Sequence, residues 1–514
     1  MAAVAQRGGG HASRRIRTTW RSTMDSSLQL TFLGHQTWLV EGDGHRILVD
    51  PVLGRGFGLS PELEFRVWPP REIETGQMPA LDALVLTHEH LDHFHLPTLA
   101  ALPKSLPVFT GPLLPSPVAE AIESLGFDVH RIDHTGAIRL GELTMRLYPA
   151  GARTLFWEDR VVQPVAQVTG GPAVAIGVDA DLSDIYRDAV AEGREPMPRM
   201  AIVSNNSQIA PEGTPGSDTN LLPGAGNVRG RKSGLKVLNE LLLDYLEPLP
   251  GITDVALCGN GFLPANTPHG PYLYADHPAM AQAANQLQHL FTVHGPRPGD
   301  RLTVPAEGPV ISERVDWVRI DEDFEAEQRA AHEAFLAEPK APPLAPIAPP
   351  ISDGGTALAE LDEELPRLGR ELVPTSAGQL AASIHEYLDG APLGPRRILL
   401  VLRDAPGGQE RHYAWDLTTA AFTAVDPVDL DEAMAVYPFG MVLFFQDFIG
   451  ILRGQVQIWD VAGSSMQCWN IGRPLDSLVY ALFAIYGEHQ RPELAARSYA
   501  YALGHIAGTA RRAG

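Results

Sequence analysis

An almost continuous apolar run, Ala80-Leu-Asp-Ala-Leu-Val-Leu86, empties into Thr87-His-Glu-His-Leu-Asp-His93. A run of this length without helical periodicity reads as a strand buried on both faces. Such a strand needs a packed layer on each side of it, which restricts the chain to a layered fold. The polar cluster at its end then sits where the backbone leaves the sheet. His88 and His90 are two apart on an extended segment, so their imidazoles project to one side and can grip one cation. Asp92 and His93 fall at the turn into a helix opened by Pro97, within reach of a second cation ~3.5–4 Å away. Imidazole and carboxylate suit zinc or iron. The bland alternative is a group of surface histidines at a helix start. Four of the 18 histidines lie between positions 88 and 95, directly behind a buried strand, and this favours the metal.

The flanking sequence supports the layered reading. Leu28 to Leu33 and Trp38 to Glu41 alternate like strands, and Gly42-Asp43-Gly44 is a hairpin turn into Arg46 to Asp50. Further strands are expected at Val174 to Asp179, Met200 to Val203 and Asp254 to Leu257, with a helix at Ser116 to Leu125 and helical spacing at Leu235 to Leu246. Strands and helices alternate, with acids and histidines at strand ends, an α/β pattern. A charged helix, Glu322 to Leu336, precedes Pro339, Pro342, Pro343, Pro346, Pro349 and Pro350, which mark an extended linker. The expected division is a disordered basic tail over 1–24, a first domain over 25–318, helix and linker over 319–355, and a smaller α+β domain over 356–514. In that last domain the pattern predicts helices at Gly378 to Tyr387, Met441 to Leu452 and Asp476 to Tyr486. It predicts strands at Arg397 to Leu402, Arg411 to Trp415, Gln455 to Trp459 and Gln467 to Asn470.

Composition narrows the partners. A net charge of −22 repels phosphate backbones and excludes nucleic acid as the default partner. Two distant cysteines, Cys258 and Cys468, exclude a disulfide scaffold and a thiolate-rich metal site, and fit a cytoplasmic location. Arg14-Arg15 is not an export signal, because Thr18 to Ser27 is mostly polar. The most apolar stretch, Phe439 to Leu452, is interrupted by Gln446-Asp447 and is too short to span ~30 Å of hydrocarbon, so no membrane span is expected.

On these motifs, residues from about 28 to 305 resemble the metallo-β-lactamase fold superfamily. The resemblance implies an αββα four-layer sandwich, followed here by the smaller α+β domain. Gly34-His-Gln-Thr-Trp-Leu-Val40 and Ile47-Leu-Val-Asp-Pro51 are similar to the branch of the ascorbate-6-phosphate lactonases and the N-acylphosphatidylethanolamine phospholipase D. Leu96-Pro-Thr-Leu99, Gly295-Pro-Arg-Pro-Gly299 and the trailing region are closer to the CMP-N-acetylneuraminate hydroxylases. The resemblance assigns His88 and His90 to a first metal, Asp92 and His93 to a second, and Asp179 to the bridge between them. It places a final histidine at His269, in preference to His277, and gives Asp50 the task of orienting ligands. Asp92 and Asp179 are the expected catalytic carboxylates.

One position departs from the pattern. The family's histidine between His93 and Asp179 is missing from residues 150–159; either Glu158 or Asp159 replaces it, or both are surface acids and the first metal is under-ligated. An added carboxylate hardens the site and favours two irons over two zincs, as in the di-iron β-hydroxylase of chloramphenicol biosynthesis. The first expectation is therefore a di-iron oxygenase, a hydroxylase or N-oxygenase acting on a small molecule. Cys258-Gly-Asn and Cys468-Trp-Asn do not supply the Cys/His pairs of a Rieske cluster, so electrons would come from a separate ferredoxin or reductase. The alternative is a zinc-dependent hydrolase of a phosphodiester, lactone or related bond. A third reading is a non-catalytic metal-binding scaffold. Arg229, Arg231 and Lys232 offer a site for an anionic substrate, or form a solvated loop. Ser204-Asn205-Asn206, at a strand end, are expected to face the pocket.

Overall fold

The computed structural model describes residues 26–60, 63–154, 159–204, 247–259, 261–264, 276–337, 344–388, 391–471, 477–487 and 490–513. The expected helix at Leu235 to Leu246 and the basic loop with Arg229, Arg231 and Lys232 lie outside these residues.

Alternation along the strands sorts side chains into layers. Leu28, Leu30, Phe32, Trp38, Val40, Ile47, Val49, Ala83 and Val85 point into one core. Their neighbours Leu33, Leu39, Leu48, Leu84 and Leu86 point into another. Both faces of this sheet are therefore apolar, which is what an almost continuous apolar strand requires. The sheet runs, edge to edge, Ile311–Arg314, Asp300–Val304, Leu28–Gly34, Thr37–Gly42, His45–Val49, Ala83–Leu86, Val108–Thr110 and Val129–Arg131. A second sheet runs Ile138–Leu140, Leu143–Pro149, Val162–Val168, Ala173–Ile176, Met200–Ser204, Asp254–Cys258 and Thr292–His294. It divides the same way. Val174, Ile176, Met200, Ile202 and Ala256 meet the first sheet, while Ala175, Ala201, Val203, Val255 and Leu257 meet Tyr186, Val190, Ala281 and Ala284 of the outer helices. On the far side, the helices Leu96–Ala101 and Ser116–Ser124 cover the first sheet. Helix, sheet, sheet and helix form the expected four layers.

Strand direction places the site. His45–Val49, Ala83–Leu86 and Val108–Thr110 are parallel, as are Ala173–Ile176, Met200–Ser204 and Asp254–Cys258 in the other sheet. The carboxyl ends of parallel strands open onto a common rim, where residues leaving the sheets can converge.

The second unit is built on a five-stranded mixed sheet, in the order Ala421–Val425, Gln409–Asp416, Arg396–Ala405, Phe439–Phe444 and Gln467–Asn470. Three local expectations change here. The helix expected over Gly378 to Tyr387 ends at Ser383 and is followed by the strand Glu386–Leu388. Phe439 to Leu452 is not one helix. Phe439–Phe444 is a strand parallel to Arg396–Ala405, and only Phe445–Leu452 is helical. A short apolar run carries no periodicity that separates strand from buried helix, and here strand pairing decides. Gln455 to Trp459 is not a strand either. Ile458–Ser464 is a helix, and the Gln457 N–H donates to Asp460 Oδ2 at 3.0 Å across its first turn. The proline-rich approach is anchored to this unit by Asp447, whose Oδ1 accepts the N–H groups of Ile347 and Ala348 at 2.8 Å each.

Asp460 is 6% exposed, and burial raises its pKa from 3.8 to about 6. The folded chain therefore holds a proton there that the unfolded chain has released, and stability falls as pH rises from about 4 through about 6. Asp460→Asn keeps an acceptor for the Gln457 N–H. It is expected to flatten this part of the melting profile and to be the more stable form at pH 7.5. Parallel profiles for the two proteins would refute the assignment.

The two units are in contact. The helix Pro492–Ala513 places Ala495, Tyr499 and Ala502 in one apolar cluster with Leu96, Leu99 and Val118. Tyr499 meets Phe94 edge to face, with centroids 5.4 Å apart. Among the described residues no helix is long and apolar enough to cross a membrane.

Candidate metal centre

Asp50 organises the rim. It follows the strand His45–Val49 at φ +47°, and its N–H donates to Val85 O at 2.9 Å, tying it to the neighbouring strand. Its carboxylate is buried. Oδ1 accepts the Thr87 N–H at 2.8 Å, while Oδ2 accepts the Thr87 hydroxyl at 2.7 Å and the His93 Nδ1–H at 2.7 Å. This hydrogen bond orients the His93 ring and leaves Nε2 facing two more carboxylates: Asp179 Oδ2 at 3.1 Å and Asp92 Oδ2 at 3.7 Å. Burial opposes charge on His93, but Asp92, Asp50 and Asp179 together hold its pKa well above the ordinary histidine value. Three acids around one imidazole call for positive charge at this point, which a divalent cation would supply.

His88 points to the same place. The Thr87 hydroxyl donates to Asp50, so at 3.0 Å from His88 Nδ1 it accepts the ring proton. That leaves Nε2 as a lone pair, buried and without a hydrogen-bond partner. Burial, with His93 and His90 nearby, pushes the His88 pKa well below 6.5, so the ring is neutral and available as a ligand. Ligand atoms of His88, His93 and Asp179 lie within 4.8 Å of one another, as do those of His35, Asp92 and His93. Both sets share His93. The residues present therefore fit a cation at the His93 Nε2 edge.

The supports of Asp179 and Asp92 come from distant segments. Asp179 lies three residues past the strand Ala173–Ile176, beyond Val178 at φ +53°. Its Oδ1 accepts Gln36 Nε2 and Ser204 Oγ, each at 3.0 Å, and Cys258 Sγ donates to Gln36 Oε1 at 3.0 Å. His35, at φ +53° after Gly34, meets Asp92 Oδ2 through Nε2 at 2.7 Å.

His90 has different company. Its Nε2 lies 3.0 Å from Arg160 Nη2, and Arg160 Nε donates to Glu89 in a buried ion pair. Burial and then Arg160 lower the His90 pKa to about 4. On the other side its ring meets Trp459 edge to face at 4.7 Å, and Trp459 packs on Phe483 at 4.0 Å. The carboxy-terminal unit thus supplies an aromatic wall beside the motif.

Of the residues expected from sequence, Asp50, His88, Asp92, His93 and Asp179 come together, with Ser204 behind them. Glu158, Asn205, Asn206 and His269 lie outside the described residues, and Asp159 is exposed. His277 is buried at the start of the helix His277–Leu287 with Nε2 unpartnered, and burial lowers its pKa to about 4. Sequence reasoning missed His35, Gln36, Arg160 and Trp459. The one available signal was Gly34-His35 between two strands, a tight turn that delivers a side chain to the rim.

Residues 29–163 match the family model described as "Beta-lactamase superfamily domain". Uncharacterized proteins of Mycobacterium tuberculosis H37Rv and Mycobacterium bovis are 33% identical over 129 residues, 24% of this chain. The match spans about a third of the length of these relatives (34%). Among solved structures, a possible metal-dependent hydrolase from Veillonella parvula is 18% identical, with 54% of this chain and 100% of that one covered and a TM-score of 0.38. CmlA, a diiron β-hydroxylase from Streptomyces venezuelae, is 16% identical, with 55% and 54% covered and a TM-score of 0.34. The amino-terminal unit is a metallo-β-lactamase fold, and a further domain of helices and sheet follows it.

Proposed function

We propose that this chain is a metal-dependent hydrolase of a small molecule, with its cation held by His88, His93 and Asp179 and approached by Asp92 and His35. The observation that carries this reading is the buried, unpartnered Nε2 of His88 aimed at the acid-flanked edge of His93. Such a cation supplies Lewis acidity, polarising a substrate oxygen and making water acidic near neutral pH. The protein's own groups do the rest. Asp50 fixes the His93 ring through Nδ1. Gln36 and Ser204 hold one oxygen of Asp179, leaving the other toward His93. The Gly261 N–H donates to His35 Nδ1 at 3.3 Å, so His35 Nε2–H donates to Asp92 Oδ2 at 2.7 Å and, with His93, holds that carboxylate ionised toward the cation. Trp459 limits solvent access beside His90.

The di-iron oxygenase is the second reading, favoured by the carboxylate share of the set and needing an external electron donor. Saturating the purified chain with zinc or with iron, and assaying nitrophenyl phosphodiesters and lactones, separates the two. Turnover with zinc supports hydrolysis. Absence of hydrolysis, with two irons and near-ultraviolet absorption, supports the oxygenase.

If Trp459 borders the substrate, Trp459→Ala removes roughly 1–2 kcal/mol of contact and lowers kcat/KM roughly 5–30-fold, mainly through KM. The assay uses whichever ester is turned over. An unchanged kcat/KM would put Trp459 outside substrate reach.

A further inference from the structure

The resemblance leads one to expect two cations, the first on His88 and His90. We infer instead that Arg160 stands at that first position as a fixed cation, and that the centre holds one metal ion per chain. The inference rests on the metal-centre reading above and concerns the number of ions.

The argument starts with His90. A histidine ligates through a ring nitrogen that carries a lone pair, and His90 Nε2 already faces Arg160 Nη2 at 3.0 Å. A guanidinium has donors and no acceptor, so the hydrogen bond runs from Arg160 to the Nε2 lone pair that a metal would need. Arg160 is not a side chain that swings aside easily. It is 3% exposed, and its Nε is held by Glu89, which is 0% exposed. Moving it would leave Glu89 as an uncompensated buried acid. A divalent ion on His90 would also sit against a permanent positive charge.

Among the described residues, the remaining donors describe one ion. The two sets that converge, His88 with His93 and Asp179, and His35 with Asp92 and His93, share a single imidazole. Its Nδ1 is committed to Asp50, so both sets meet at the same nitrogen, Nε2. Among the described residues no such set contains His90. Glu89 and Arg160 thus convert the first half of the motif from a ligand pair into a ligand, His88, beside a fixed charge.

The test is a metal count on the whole chain, loaded with excess zinc, and separately with ferrous iron without oxygen, then freed of unbound metal and measured by elemental analysis. One ion per chain is expected in both cases. Two ions per chain would overturn the inference and leave the metal-centre reading intact, whereas none would overturn both. His90→Gln, whose amide oxygen can still accept from Arg160, is expected to keep the count at one. His93→Gln is expected to lose the ion. Loss of the ion in His90→Gln with the fold retained would overturn the inference. If that variant does not fold, the count on the unmodified chain decides by itself.

Discussion

Arg160→Ala is expected to lower the unfolding free energy by ~3–5 kcal/mol, the usual cost of leaving one member of a buried ion pair without its partner. The size follows from the surroundings of Glu89. The residue is 0% exposed, Arg160 donates to its Oε1, and its Oε2 has no hydrogen-bond partner. Without the guanidinium the carboxylate must stay charged in a dry site or take up a proton. Glu89→Gln combined with Arg160→Met removes both charges and keeps most of the volume, and it should recover the larger part of the loss. The check is urea denaturation, read as a shift in midpoint at constant slope. A loss below ~1 kcal/mol in Arg160→Ala would show the pair to be hydrated, with the strength of a surface salt bridge.

Asp50→Ala is expected to weaken metal binding by ~10–100-fold, although Asp50 is not itself among the converging ligand atoms. Its carboxylate does three things at once: it fixes the His93 ring through Nδ1, and it accepts both the amide and the hydroxyl of Thr87. The hydroxyl in turn sets which nitrogen of His88 carries the proton. Alanine frees the His93 ring to turn and lets His88 present Nε2–H instead of a lone pair. Asp50→Asn restores one acceptor but brings an amide donor toward Thr87 or His93, so it should recover little. Competition with a chromophoric chelator measures the change. An affinity within about threefold of the unmodified chain would remove the orienting role.

What could be read in advance, and what could not, follows from the range of each interaction. Ala83–Leu86 was legible as a buried strand because its apolar run needs cover on both faces. The hexad after it was legible as a cluster of imidazoles and acids at a strand end, but not the company each would keep, since His90 Nε2 meets Arg160 while His88 Nε2 faces the His93 edge. Asp50 and Asp179 could be marked as acids at strand ends. The strand Phe439–Phe444 and the helix Ile458–Ser464 were misread because short segments take their state from their partners, here the strand Arg396–Ala405 and the packing of Trp459 on Phe483.

Strand alternation and motif spacing are properties of the covalent chain, so the layered class of the amino-terminal unit and the rim on which its histidines and acids gather were already written there. What each of those side chains meets was fixed by the packing of the sheets and of the carboxy-terminal unit. That packing brought His35 to Asp92, Gln36 and Ser204 to Asp179, Trp459 to the His90 ring and Arg160 to the His90 nitrogen. These pairs lie on separate segments. Their contacts exist only after the sheets have stacked, and burial then turns a nearby charge into the factor that settles which nitrogen can hold a metal.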